Sequence, residues 1–241
     1  AYRQELATVD AVIKSRVFQV SNNDKVIVGK DKWLFFEETK DDYLGRNVLS
    51  GRGVHNCAKV LALLQEGAGR QGCKFLFVPA PNKNSLYPEY MPDRYVKEST
   101  ENSYSLLMEK QQVDFVDLKE AFGKQNTVMY HKLDTHWNNE GAAFAGGQIL
   151  EHIGKEYVDY SNEAYQVLNC FSGDLWGMLY PKWNRLDENV IYDRQHIYEY
   201  CNDADTTEDM FIETSCQGKD GALVMFRDSF GNALLPFLAD E

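Results

Sequence analysis

Apolar and polar positions along the chain alternate with two distinct periods. In residues 2–20, Leu6, Val9, Ile13 and Val17 recur at helical spacing and predict an amphipathic helix. Val26-Ile27-Val28-Gly29 and Trp33-Leu34-Phe35-Phe36 predict two short strands around a Gly-Lys-Asp-Lys turn. A second helix is expected over 53–68, with Val54, Cys57, Leu61, Leu64 and Ala68 on one face and Gly67, Gly69 and Gly72 ending it.

The run Lys74-Phe75-Leu76-Phe77-Val78-Pro79 is short, continuous and apolar, as in a strand buried on both faces. A helix around 95–112, a strand at 113–118, a further strand at 127–130 and a helix from about 139 to 153 follow. Residues 156–218 carry many Tyr, Asn and Asp and few long apolar runs, and are expected to form an irregular insertion with short strands. Gly221-Ala-Leu-Val-Met-Phe226 then predicts a strong buried strand, followed by a helix over 232–239. Alternation of strands and helices implies an α/β fold, a three-layer α/β/α sandwich with a mostly parallel sheet, in a single domain over 1–241.

Composition narrows the function. Among 241 residues, 25 Lys+Arg against 37 Asp+Glu give a net charge of −12. That balance argues against a nucleic-acid partner, because such binding relies on Lys and Arg displacing counterions from phosphates. No apolar run approaches the roughly 20 residues of a membrane-spanning helix. The five cysteines, Cys57, Cys73, Cys170, Cys201 and Cys216, include no CxxC pair and suggest neither a zinc site nor a disulfide scaffold. Cys201 and Cys216 flank a loop-like acidic stretch and are placed to pair; the alternative is five mostly buried thiols acting as small hydrophobes.

Candidate chemistry lies where predicted strands meet helices. Arg227-Asp228-Ser229-Phe230-Gly231 is a strand-turn-helix junction, and a serine there sits beside free helix-start N–H groups that favour an oxyanion. The competing role for Asp228-Ser229 is to cap that helix. In Asp134-Thr135-His136-Trp137, an extended backbone puts residues i and i+2 on one side, so Asp134 can orient His136 as a base toward a serine hydroxyl. His131, Asp134 and His136 also lie within six residues and offer a metal-ligand set.

These segments resemble, in order, the SGNH-hydrolase-like domain of the alginate O-acetylation proteins of the AlgX/AlgJ type, with the related DHHW proteins. Gly29-Lys-Asp-Lys-Trp33-Leu-Phe is similar to the family's Gly-Lys-Asp-Gly-Trp-Leu-Phe, with Lys32 in place of a glycine. Val78-Pro-Ala-Pro-Asn-Lys83 with Tyr87-Pro88 resembles its Val-Pro-x-Pro-x-Lys…Tyr-Pro segment. Asp134-Thr-His-Trp137 with Gly141-Ala142, Ser172-Gly-Asp-Leu175, and Arg227-Asp-Ser-Phe230 resemble three more.

The resemblance implies Ser229 as nucleophile, His136 as base and Asp134 as its orienter, in a permuted SGNH motif order. It implies a serine-dependent O-acetyltransferase or acetylesterase passing acetyl through Ser229 to an exported or cell-surface polysaccharide. No cofactor is implied. The donor side would be a membrane-bound O-acyltransferase, and the location extracytoplasmic, through an N-terminal segment preceding Ala1. The family's sheet continues with at least another strand and helix beyond the position of Glu241. A Gly-x-Asn block for the oxyanion hole is not evident, and Asn82 is its candidate by position. Lys83 is a candidate for an anionic substrate group, and Tyr87, Trp137, Trp176 and Trp183 for stacking on sugar. Two other readings stay open: a catalytically silent carbohydrate-binding domain, and a metal-dependent hydrolase using His131, Asp134 and His136. The net charge adds a constraint: it would repel an anionic polymer, which implies a neutral or screened acceptor, or a basic patch at the cleft.

Overall fold

The computed structural model describes residues 2–46 and 48–241. Its first helix, α1 (Tyr2–Val17), lies within the predicted segment but docks on its small residues rather than its apolar stripe. Ala11 is wholly buried and Ser15 nearly so, whereas Leu6 is 69% exposed and Val9, Ile13 and Val17 also face solvent. The cause is steric: small side chains let the helix backbone approach a cluster that includes Leu175, Leu179 and Tyr180, and Ser15 Oγ meets the Tyr180 hydroxyl at 2.5 Å.

Strands β1 (Val26–Val28) and β2 (Leu34–Phe36) pair antiparallel as expected. In the turn between them Asp31 and Lys32 have φ of 51° and 68°. Lys32 thus occupies a left-handed conformation that glycine adopts freely and that costs an L-residue roughly 1 kcal/mol. Helices α2 (Lys40–Leu44) and α3 (Gly51–Arg70) follow. Ser50 caps α3, its hydroxyl accepting from Gly53 N at 3.1 Å. Gly67 and Gly69 do not stop α3; the chain turns at Gly72, which has a positive φ of 75°.

The parallel sheet is far smaller than the apolar runs suggest. Phe77 and Phe115 form an isolated parallel bridge, with Phe77 N donating to Asp114 O (2.9 Å) and Val116 N to Phe77 O (3.1 Å). The short helices α4 (Lys83–Leu86) and α6 (Leu118–Gly123) were not anticipated, and the helix expected over 95–112 contracts to α5 (Ser103–Lys110). Asn102 and Ser105 form a capping box that sets the start of α5, and Asp117 caps α6 and so ends the extended run at 113–118. Tyr130 and Trp137 make an antiparallel bridge that brackets residues 131–136 as a closed loop, and α7 (Asn139–His152) leads out of it.

Residues 156–218 are more regular than their composition suggests. β3 (Tyr165–Ser172) and β4 (Leu186–Tyr192) form an antiparallel pair, and their connection carries α8 (Asp174–Leu179), whose Leu175 and Leu179 share a buried cluster with Leu133. β5 (Glu199–Tyr200) and β6 (Thr214–Ser215) make a further antiparallel pair. The strand expected at 221–226 does not form. Among the described residues it joins no ladder, and Val224 and the 98% exposed Phe226 face solvent. An apolar run becomes a buried strand only where neighbours offer both ladder partners and covering faces. The last helix, α9 (Phe230–Ala239), packs Leu234 and Phe237 with Ala142, Ala145 and Ile149 of α7 and with Tyr130, Trp137 and Phe122. The five cysteines are free thiols, none of them buried, and Cys201 Sγ lies 3.2 Å from Ser215 Oγ rather than on Cys216.

Candidate active site

Three side chains from distant parts of the chain meet at the start of α9. Ser229 Oγ lies 2.7 Å from His136 Nε2, and His136 Nδ1 lies 2.7 Å from Asp134 Oδ1. The capping role is taken by the neighbour: Asp228 Oδ1 accepts from Phe230 N at 3.0 Å, while the Ser229 side chain makes no cap bond. Ser229 is exposed and His136 half-buried, so the line runs from solvent inward to a buried carboxylate. Phe230 packs edge-on against the His136 imidazole, with centroids 4.8 Å apart, and limits the ring's swing.

The loop carrying the pair is fastened from several sides. Asp134 Oδ1 accepts from His136 N as well as from its imidazole, and Asp134 Oδ2 accepts from Asp174 N at 2.7 Å. Asp174 in turn accepts from Thr135 N and Thr135 Oγ1, each at 2.9 Å. Asp187 Oδ2 accepts from Leu133 N at 2.7 Å. Gly173 lets α8 approach this closely, because a Cβ there would stand 2.3 Å from Leu133 O. Asp134, acceptor-only when ionised, requires the proton on Nδ1 and leaves the Nε2 lone pair facing the Ser229 hydroxyl.

Comparison with known proteins places the chain in a family. Residues 26–215 match the family described as the SGNH hydrolase-like domain of the acetyltransferase AlgX. The chain belongs to that family. A probable alginate O-acetylase AlgJ from Pseudomonas syringae pv. tomato is 30% identical over 132 residues, which is 52% of this chain and 32% of the relative. The AlgJ of Pseudomonas aeruginosa is 25% identical over 136 residues, again 32% of its length. The chain therefore matches about a third of the length of these relatives. Among solved structures, Bacillus cereus PatB1 aligns with a TM-score of 0.62 at 15% identity, covering 89% of this chain and 84% of that one. A DHHW family protein from Eubacterium siraeum aligns at 0.58 and 20% identity, covering 89% and 78%. At these identities the two structures establish a shared fold.

Within this AlgX-type domain, burial works against the charge on both members of the Asp134–His136 pair, and their contact overrides it. For His136, the hydrogen bond it donates to Asp134 and the nearby carboxylates of Asp134, Asp174 and Asp228 outweigh desolvation and raise the pKa above 6.5. For Asp134, the bonds from His136 and from Asp174 N outweigh burial and hold the carboxyl well below the usual range. The signs fix a window. A raised histidine pKa contributes stability below 6.5 that is lost as pH rises through the folded value. A depressed aspartate pKa contributes stability above 3.8 that is lost as pH falls through the folded value.

The other candidates from the sequence lie outside the Ser229–His136–Asp134 line. Trp137 is 2% exposed and stacks parallel on Phe122, so it is core and not a platform for sugar. Tyr87 uses its hydroxyl to accept from Met129 N at 2.9 Å. Trp176 is buried, and the more open Trp183 has the Arg16 guanidinium over its ring at 5.0 Å. Asn82 donates to Asp42 Oδ2 at 3.1 Å and lines, with Thr135 and Phe230, a cavity of about 20 Å³ beside the site. Lys83 points inward onto the 131–134 carbonyls instead of toward solvent. His131 leaves the proposed metal set: its Nδ1–H donates to Glu188 O at 3.0 Å and its ring stacks on Phe171 at 3.8 Å. Among the described residues, the donor group with ligand atoms within 4.8 Å is Asp134, His136 and Asp174. The carboxylates of that group already accept the bonds given above. Asp174 and Asp187 were missed as site residues. Asp174 stood in the recognisable Ser172-Gly-Asp-Leu175 segment, whereas no motif marked Asp187.

Proposed function

We propose that this chain is a serine-dependent O-acetyltransferase whose acyl group rides on Ser229. The observation that carries the reading is the continuous line from Ser229 Oγ through His136 to Asp134, with both links at 2.7 Å. His136 Nε2 takes the hydroxyl proton as Ser229 Oγ bonds to the acetyl carbonyl carbon. The same proton then passes to the departing donor oxygen, leaving acetyl-Ser229 and a neutral imidazole. A polysaccharide hydroxyl next gives its proton to Nε2 and attacks the ester, and Ser229 leaves as the hydroxyl by recovering that proton. The amide of Ser229 at the helix start and the second amide N–H of Asn82 are assigned to the developing oxyanion.

Support for polysaccharide as the acceptor comes from membership of an acetyltransferase family whose matched relatives are named alginate O-acetylases. The charge at the site favours a neutral stretch of polymer. Asp134, Asp174 and Asp228 are the charged neighbours of His136, and the Arg227 guanidinium is taken up by Asn232 Oδ1 and the carbonyls of Thr207 and Asp209. An extracytoplasmic location, with acetyl delivered by a membrane-bound O-acyltransferase, belongs to the same proposal, as does a single domain over 1–241.

The test is acid quenching during turnover of an activated acetyl ester, followed by peptide mapping. One acetyl group on the peptide containing Ser229, and acetate release indifferent to chelator, is the expected result. Acetylation elsewhere would sink the mechanism, and loss of release on chelation would favour a metal. Because the base must be neutral, kcat/KM for the ester should rise with pH along a limb centred above 6.5. A limb at or below that value would mean that Asp134 does not govern the imidazole.

A further inference from the structure

Lys83 is 5% exposed in a chain whose lysines otherwise reach solvent, and no step above uses it. Its ammonium has three protons and meets three carbonyls of one loop: His131 O at 3.0 Å, Lys132 O at 3.4 Å, and Asp134 O. A neutral amine has two donors and a lone pair that would face one of those oxygens, so the cage is built for the protonated form. The rings of Trp33 and Phe35 wall the ammonium at 5.6 and 5.2 Å. Three carboxylates favour its charge: Asp134 on the loop itself, Asp174 at the start of α8 and Asp187 on β4. Burial pulls its pKa down to about 7 against the pull of those charges. The root of the side chain is equally fixed. Lys83 opens α4 directly after Asn82, which is bonded to Asp42, and Pro81 O accepts from the Tyr130 hydroxyl at 2.6 Å.

We infer that Lys83 is a positioning residue for the Asp134–His136 pair, its ammonium tying down the carbonyls from which both side chains are hung. The catalytic part of this inference rests on the reading of Ser229 given above. The caged oxygens belong to the segment that presents Asp134 and, two residues on, His136. The same segment is held at Leu133 N by Asp187 and at Thr135 N by Asp174. Lys83 supplies the opposing set of bonds, to acceptors where the two aspartates take donors. Without it the carbonyls of His131 and Asp134 lose their donor in a buried space, while Lys132 O keeps Leu34 N at 2.9 Å, and the loop must shift to find others. A displacement on the order of 1 Å costs about 100-fold in a reaction that depends on alignment.

The experiment compares wild type, Lys83→Met and the milder Lys83→Gln, which keeps two donors. Turnover of an activated acetyl ester is expressed per folded molecule from denaturation curves. The His136 Nδ1–H proton resonance is recorded without substrate. Lys83→Met should lower kcat by roughly 10–100-fold with KM within about twofold, Lys83→Gln should fall between, and the resonance should shift or broaden. Unchanged kcat per folded molecule overturns the inference. So does a lower kcat with an unmoved resonance, since the loss would then not pass through His136. Ser229→Ala run alongside separates the two claims. Retained turnover there removes the catalytic reading, while the resonance still decides whether Lys83 positions the pair.

Discussion

Replacing Ser229 by alanine should lower turnover of an activated acetyl ester by roughly 10⁴–10⁶-fold and abolish the acetyl-enzyme. The change removes one exposed hydroxyl whose partner is His136 Nε2 at 2.7 Å. The helix behind it is capped by Asp228, so α9 keeps its start, and unfolding midpoints should stay near wild type. That separation of activity from stability makes the measurement sharp. A capping serine would show the opposite, with a cost of about 1 kcal/mol in stability and intact turnover. Retained turnover in a folded Ser229→Ala protein would falsify the nucleophile assignment. Combining this change with one at His136 should do little further harm, because residues acting as a unit do not lose activity additively.

Asp134→Asn should be nearly as damaging, for a different reason. Asp134 accepts three bonds, two at Oδ1 from His136 and one at Oδ2 from Asp174 N. An amide has only one oxygen to offer. With that oxygen on His136, the imidazole keeps its tautomer and the new NH₂ faces Asp174 N–H. With it on Asp174, the proton is driven to Nε2 and the base is lost. Either way the negative charge that stabilises the imidazolium disappears. The expected fall in kcat is roughly 10²–10⁴-fold. Stability should drop by about 1–3 kcal/mol from a buried donor facing a donor. The pH–rate limb should also move down, since Asp134 is what raises the His136 pKa. A limb that stays in place, or moves up, would mean that other carboxylates control the base.

The site was more legible than the fold, and particular residues show why. Asp134, His136 and Ser229 lie in short segments whose chemistry depends on local spacing and on a junction, both of which survive in a linear string. Asp187 could not be found that way, because it reaches the loop only through the pairing of β3 with β4. Lys83 was marked by its segment, but as a candidate for an anionic substrate group. Its burial depends on Trp33, Phe35 and three carbonyls about fifty residues away. Trp137 was a plausible sugar platform until Phe122 and Phe230 enclosed it.

By itself, the sequence determined the helices near 2–20, 53–68 and 139–153, the strand pair around residues 29–32, the adjacency of Asp134 to His136, and the order of motifs that marks the family. All of these rest on interactions within a few residues. Tertiary structure decided which faces are buried, so that α1 turns Leu6 outward and docks on Ala11, and residues 221–226 remain unpaired despite their apolar run. It also decided that Ser229 meets His136 across 93 residues of chain. Burial and long-range pairing are properties of the neighbours a segment finds, and a pattern within the segment carries no record of them.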